Sequence, residues 1–216
     1  MSRLHYPVTA LGPGRRLGVW VQGCALACPG CLSRDTWDPA AGRTVPVAEL
    51  LQAWRAAVAD GADGLTVSGG EPLDQAEEVA ELLAGARAVR APADRDTGRE
   101  IDILLYTGYE LSELDDARSR VVDLADAVIT GRYVAGQPTG LIWRGSANQR
   151  LLPRTPLGAA RYGRYLDHVP DRTPMQVSVD AHNIWFVGVP RRGDMPRLER
   201  ALARRGVHPG KPSWRP

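Results

Sequence analysis

The chain has 216 residues, of which only three are cysteines, and it has a single lysine, Lys211, against 26 arginines. Three cysteines are an odd number and too few for a secreted disulfide framework. The lysine scarcity, with abundant Ala, Gly and Pro, reads as the coding bias of a GC-rich genome and not as an Arg-based binding surface. No apolar run approaches the ~20 residues of a membrane span. The first residues, MSRLHYPVTALGPGRR, lack the apolar core of a secretory signal. A formal net charge of +2 gives no electrostatic argument for nucleic acid. There is no internal repeat and no low-complexity tail. These absences leave an ordinary globular chain, long enough for a sizeable core and expected in the cytoplasm.

The cysteines are all in one place: Cys24-Ala-Leu-Ala-Cys28-Pro-Gly-Cys31. Three thiolates spaced x3 then x2 can hold three irons of a four-iron cluster, a cluster type normally held by Cys thiolates. The fourth iron would then be open to a substrate or cofactor. Two other readings stand beside this one. The thiols could be unrelated to metal, or they could form a Cys3His zinc site, since structural zinc is almost always four-coordinate. The histidines are His5, His168, His182 and His208, and none lies at a zinc-finger spacing from the cysteines.

Strand and helix patterns alternate, which argues for an α/β fold with parallel strands. Leu17–Gln22, Leu65–Ser68, Ile101–Tyr106 and Ala127–Thr130 read as strands. Pro46 reads as the first residue of a helix carrying Val47, Leu50, Leu51, Trp54 and Val58. Asp74 and Glu77 read as a capping box for a helix to about Val89. Residues 90–100 read as a polar surface connection, and 111–124 as one amphipathic helix. From 131 to about 156 there is no convincing periodicity. Met175–Val179 and Ile184–Val189 read as a hairpin across 180–183, and Asp194–Arg205 as a basic helix.

A second element carries chemistry. Ser68-Gly69-Gly70-Glu71-Pro72 ends the second strand. Alone, a glycine pair after a strand is a tight turn. Here the glycines also allow close backbone approach to a ligand, and Pro72 holds Glu71 extended. The carboxyl ends of parallel strands are where α/β proteins bind ligands, and the first strand delivers the cysteine loop to that same edge.

With these residues the chain resembles the radical S-adenosylmethionine enzymes, through Cys24-x3-Cys28-x2-Cys31 and Gly69-Gly70-Glu71-Pro72. More closely it resembles the activating proteins of anaerobic ribonucleoside-triphosphate reductase. The further matching segments are Tyr6-Pro-Val, Gly12-Pro-Gly-Arg15, Thr36-Trp37, Tyr106-Thr-Gly-Tyr109, Gly131-Arg-Tyr133, Leu141-Ile-Trp-Arg-Gly-Ser146 and Asn148-Gln149. The resemblance covers about 1–150. It implies a partial, incomplete β/α barrel of parallel strands, with a core at 1–152 and an extension at 153–216 that contains the hairpin and helix.

The resemblance also implies chemistry. One 4Fe-4S cluster is held by Cys24, Cys28 and Cys31, and S-adenosyl-L-methionine binds its open iron. Reductive cleavage gives a 5′-deoxyadenosyl radical that takes hydrogen, in this branch from a glycine of a partner glycyl-radical enzyme. A flavodoxin- or ferredoxin-like electron donor is implied as well. By match, main chain at Gly30, Leu32, Gly69 and Gly70 touches the cofactor, Glu71 fixes its amino end, and Thr107 and Gly108 lie at its rim. Trp37 either shields the adenosyl group or belongs to the core. Arg144 either pairs at the surface or reads the partner's polypeptide.

Two departures stand out. Thr130 occupies a position more often acidic in the family, and 152–216 has no counterpart in its compact members. Arg197, Arg200, Arg204 and Arg205 either face an acidic partner or form a solvated helix face. The competing functions are a radical enzyme modifying a small molecule or peptide, similar to 7-carboxy-7-deazaguanine synthase, and a non-enzymatic Fe–S or zinc-binding regulatory protein.

Overall fold

A computed structural model describes residues 1–89, 100–179, 184–208 and 210. Of the expected connection over 90–100, residues 90–99 lie outside the described residues, as do the turn over 180–183 and Lys211. The chain forms a six-stranded sheet in the order β1-β2-β3-β4-β5-β6, and a separate two-stranded sheet β7-β8. The strands are β1 (Arg3–Val8), β2 (Arg16–Val21), β3 (Gly64–Gly69), β4 (Asp102–Tyr106), β5 (Ala127–Thr130), β6 (Arg150–Pro153), β7 (Met175–Val179) and β8 (Ile184–Gly188). The helices are α1 (Val47–Ala59), α2 (Ala76–Ala88), α3 (Asp116–Asp123), α4 (Pro156–Tyr162) and α5 (Asp194–Ala203).

β2, β3, β4 and β5 are mutually parallel, while β1 and β6 close the two edges antiparallel. The sheet does not close on itself, so the expectation of a partial barrel with a separate hairpin and helix holds. Among the described residues no helix is long and apolar enough to cross a membrane.

Alternation along the parallel strands divides the core. Leu17, Val19, Leu65, Val67, Ile103 and Leu105 face the helix layer. There they meet Leu50, Trp54, Ala57 and Val58 of α1, and Val79, Leu82, Leu83 and Ala86 of α2, both at helical spacing. The Trp54 indole N–H donates to Ala86 O at 3.2 Å and ties α1 to α2. On the opposite face Leu104, Ala127 and Ile129 pack against Ile142, Trp143, Leu151 and Tyr162. Core packing thus runs on from the parallel strands into α4, whose Tyr162 is fully buried.

The structure corrects several expected boundaries. Helix α1 begins at Val47, because Pro46 has ψ 138°, which is extended. Asp74 does not cap α2. A 3-10 turn over Pro72–Gln75 comes first, with Glu71 accepting from Leu73 N as its cap. Residues 111–124 are not one helix but a 3-10 turn at Leu111–Glu113 and then α3, with Asp115 accepting from Arg118 N as its cap.

Strands β1 and β6 and helix α4 were not expected. Both strands are short edge strands in which a proline is tolerated, so their pattern is weak. Helix α4 carried a legible signal, with Thr155 as cap and Pro156 in the first turn.

Candidate functional site

Strand β2 ends at Val21, and the chain leaves its carboxyl end as a loop whose two ends are fastened together. The Gln22 side chain donates to Asp35 O at 2.9 Å and Asp38 O at 2.7 Å. Gly23 N donates to Thr36 O at 2.8 Å and Cys24 N to Trp37 O at 3.1 Å. Inside this closure Cys31 N donates to Cys28 O at 3.1 Å, making a tight turn through Pro29 and Gly30.

All three cysteines are free and half-buried. Main-chain donors reach two of the sulfurs. Ser33 N lies 3.4 Å from Cys31 Sγ, and the amides of Leu26 and Ala27 point to Cys24. Burial pushes the Cys24 thiol up and the charges of Glu71 and Asp74 add to this, while those two amides pull it down. Amides aimed at sulfur are what bound thiolates require, since such hydrogen bonds tune a cluster. Among the described residues no three His, Cys, Asp or Glu side chains converge on a point that one metal ion could occupy.

The Gly-Gly-Glu-Pro turn leaves β3 beside this loop and is bonded to it through main chain. Gly70 N donates to Val21 O at 3.0 Å, and Glu71 N to Gly23 O at 2.8 Å. The approach is too close for side chains. A Cβ on Gly70 would fall on Gly23 O and within 3.0 Å of Thr36 O, and one on Gly69 would fall on the backbone of Val21. The glycines are therefore required first for docking the two loops.

Glu71 is buried, and its carboxylate accepts from Leu73 N at 2.9 Å, Thr107 Oγ1 at 2.7 Å and Gly108 N at 2.7 Å. One carboxylate thus joins the ends of β3 and β4 and brings together three residues expected at the cofactor. Burial pushes the Glu71 carboxyl up to about 7, against the pull of Gly108 N, Leu73 N and the Thr107 hydroxyl.

Of the remaining expected residues, Leu32 is exposed on the cysteine loop. Gly30 lies where a Cβ would touch Tyr133 and Ala135 at 3.4 Å. The loop carrying Tyr133 and Ala135 is held by the segment around Ser146. Gln149 accepts from Gly145 N and donates to Gly131 O at 2.8 Å, Asn148 donates to Arg132 O at 2.8 Å, and Ser146 Oγ accepts from Val134 N at 3.1 Å. These motif residues build a wall beside the cysteines.

Arg144 is buried and donates to Tyr165 O and Leu166 O at 3.0 and 2.7 Å, so it reads this chain's own backbone and neither of the expected partners. Trp37 has its indole N–H buried without a partner among the described residues and faces a cleft of about 620 Å3 that it lines with Cys24 and Asp74. The Thr130 hydroxyl is likewise buried without a partner among the described residues.

Asp74 is a residue that sequence reasoning misplaced. Its carboxylate accepts from Ala25 N at 3.1 Å and from Tyr109 OH at 2.8 Å, with Arg118 stacked on the Tyr109 ring at 4.6 Å. It straps the start of the cysteine loop to the exit of β4. A short acidic side chain one residue after Pro72-Leu73 reads equally as a cap, and only the fold separates the two.

A three-thiolate loop docked on a glycine-rich turn at the carboxyl edge of an open parallel sheet defines an iron–sulfur protein of the partial-barrel class. The family described as 4Fe-4S single cluster domain matches residues 10–152. An anaerobic ribonucleoside-triphosphate reductase-activating protein from Salmonella typhimurium is 36% identical over 153 residues, covering 67% of this chain and 93% of the relative. The protein of that name from Escherichia coli K12 matches with the same identity and coverage. The one from Enterobacteria phage T4 is 34% identical over 146 residues, covering 67% of this chain and 87% of the relative. The chain therefore belongs to the 4Fe-4S single cluster domain family, in the branch that holds these activating proteins, and carries a C-terminal extension beyond the match.

Proposed function

We propose that this protein is a radical S-adenosylmethionine enzyme that activates a glycyl-radical ribonucleotide reductase. The carrying observation is the main-chain docking of the cysteine loop on the Gly-Gly-Glu-Pro turn, which fixes three thiols and a ligand-approachable backbone at one strand edge. When bound, the cluster and S-adenosylmethionine would supply the electron and the carbon–sulfur homolysis needed to abstract hydrogen from a partner glycine.

The chain's own residues bind and orient. Cys24, Cys28 and Cys31 would hold three irons of the cluster. Main chain at Gly30, Leu32, Gly69 and Gly70 faces the cofactor. Glu71, with Thr107 and Gly108, keeps the ends of β3 and β4 in register, and its carboxylate retains lone-pair capacity for the cofactor's amino end. The Tyr133 wall and the Trp37 indole exclude water, and the cofactors carry the hard chemistry. A flavodoxin- or ferredoxin-like donor supplies the electron, and the reducing cytoplasm suits free thiolates. Residues 1–152 carry this chemistry, α4 completes their core, and the hairpin and α5 of the 153–216 extension serve partner choice.

The test is anaerobic reconstitution with iron and sulfide, then assays for 5′-deoxyadenosine and for a glycyl radical, by electron paramagnetic resonance, in the anaerobic reductase of the same genome. Wild-type protein should give both products and Cys28→Ser neither. Stoichiometric zinc without iron, or cleavage retained in Cys28→Ser, overturns the proposal.

A further inference from the structure

The family match stops at residue 152, and the residues beyond it differ in charge and surface from those before it. Residues 153–216 hold twelve Lys and Arg against five Asp and Glu, whereas residues 1–152 hold fifteen against twenty. The small positive total conceals an acidic body joined to a basic extension. The exposed apolar side chains divide in the same way. Among the described residues eight large hydrophobics are exposed, and five of them, Val169, Val177, Val179, Ile184 and Val207, lie beyond residue 153.

The hairpin is held rigidly by one of its faces. The Gln176 side chain bridges β1 and the loop after it, accepting from Thr9 N at 2.9 Å and donating to Pro7 O at 2.8 Å. Val187, paired with Gln176, is buried against Val8 and Leu11, and Trp185 stacks on His5. Strand alternation then sends Val177, Val179, Ile184 and Phe186 to the other face. There Val177 is 56%, Val179 69% and Ile184 42% exposed.

Helix α5 covers this outer face only in part. Between it and the hairpin runs a groove of about 580 Å3 floored by Val177, Phe186, Met195 and Leu198. Arg172 and Arg192 stand exposed on its rim beside Asp171, while Asp194 is engaged by Arg191 N at 2.8 Å and by Arg197, so the rim keeps a positive excess. Arg197, at the start of α5, also lines the groove and pairs with Asp194 at 3.4 Å, while Arg200 and Arg204 are exposed further along the helix, away from the groove. An apolar floor with a basic rim on a fixed platform is the anatomy of a protein-docking surface.

We propose that this outer face of the extension is the docking site for an acidic segment, with apolar anchors, of the protein whose hydrogen is abstracted. Charge complementarity sets the partner's chemistry: acidic residues meet the rim and apolar side chains enter the groove. The apolar floor favours a polypeptide over a nucleic acid, whose phosphates have no use for it. The inference rests on the activase reading and adds the surface that reading lacks.

The test uses the full-length reconstituted protein and the anaerobic reductase of the same genome. Arg172→Glu with Arg192→Glu should raise the KM for reductase in glycyl-radical formation about tenfold or more, with the difference shrinking as salt is added. Val177→Ser with Ile184→Ser should raise it several-fold with little salt dependence. Iron content and partner-free cofactor cleavage should match wild type in both variants, which shows that they fold.

An unchanged KM in both variants, with radical formed, overturns the docking surface alone. Cofactor cleavage without any radical from wild-type protein overturns the activase reading and this partner with it. Binding of a 20-base-pair DNA duplex that the arginine variant loses assigns the face to nucleic acid and overturns the proposal. A dimer by light scattering that the valine variant dissolves assigns it to a second copy, with the same consequence.

Discussion

The two ends of the parallel strands handle polar groups in opposite ways. At the amino ends, Arg16 and Asp102 are fully buried side by side at 2.6 Å, and every donor of the guanidinium is used. Nε donates to Thr66 Oγ1, one terminal nitrogen to Pro13 O and Asp102, and the other to Leu65 O and Asp102. Asp102 also accepts from Tyr162 OH and pairs with Arg161 at 2.9 Å. At the carboxyl ends the thiols are half-exposed, the Trp37 and Thr130 donors lack partners among the described residues, and the cysteine loop meets the Gly69-Gly70 turn backbone to backbone, with Asp74 and Glu71 bridging beside it. The saturated end holds the fold together and fastens α4 to the core. The unsaturated end keeps capacity for ligands. The physics is the same at both ends, because a buried polar group stabilises the fold when it is paired and costs stability when it is not.

Damage at the two ends should therefore be read out differently. The largest effect is expected from Asp102→Ala, which strands a buried guanidinium and should cost about 3–5 kcal/mol, measurable by urea unfolding of the metal-free protein. Loss of less than about 1 kcal/mol would mean that this end is not what holds the sheet.

Gly70→Ala should act at the other end. Its methyl would push the cysteine loop off the turn, because it falls on Gly23 O. Iron retention and cofactor affinity should both fall, whereas the sequence alone leads one to expect loss of cofactor with the cluster kept. Iron analysis beside equilibrium binding separates these outcomes.

Glu71 tests whether the upper end carries a stability cost. Its carboxyl is raised from 4.5 to about 7, so between those pH values the folded chain holds a proton that the unfolded chain has released. Stability from this group is complete below about 4.5 and declines as pH rises to about 7. The decline is on the order of 3 kcal/mol. Glu71→Gln should flatten that slope in metal-free protein, and parallel slopes in variant and wild type would disprove it.

The smallest effect is expected from Asp74→Ala. Losing its bonds to Ala25 N and Tyr109 OH should cost about 1 kcal/mol and hasten iron loss to a chelator a few-fold. Asp74→Asn, which keeps an acceptor for Ala25 N, should restore most of the retention.

The sequence by itself determined the three-cysteine loop, the Gly-Gly-Glu-Pro turn, the four parallel strands and the hairpin. In each case the signal is local, carried by thiol spacing, a glycine pair after an apolar run, or alternation over five residues. Only the tertiary structure decided which long-range partner a polar side chain takes. Asp74 reads as a helix cap but straps the cysteine loop, Arg144 reads as a surface cation but clamps Tyr165 O and Leu166 O, and Glu71 reads as a ligand-facing acid but first joins two strand ends. The edge strands escaped notice for a related reason. Arg3–Val8 and Arg150–Pro153 owe their conformation to pairing with β2 and β5, across the sheet, more than to any pattern of their own. A hydrogen bond is short in space but carries no mark along the chain, so its partner is fixed by how the core closes.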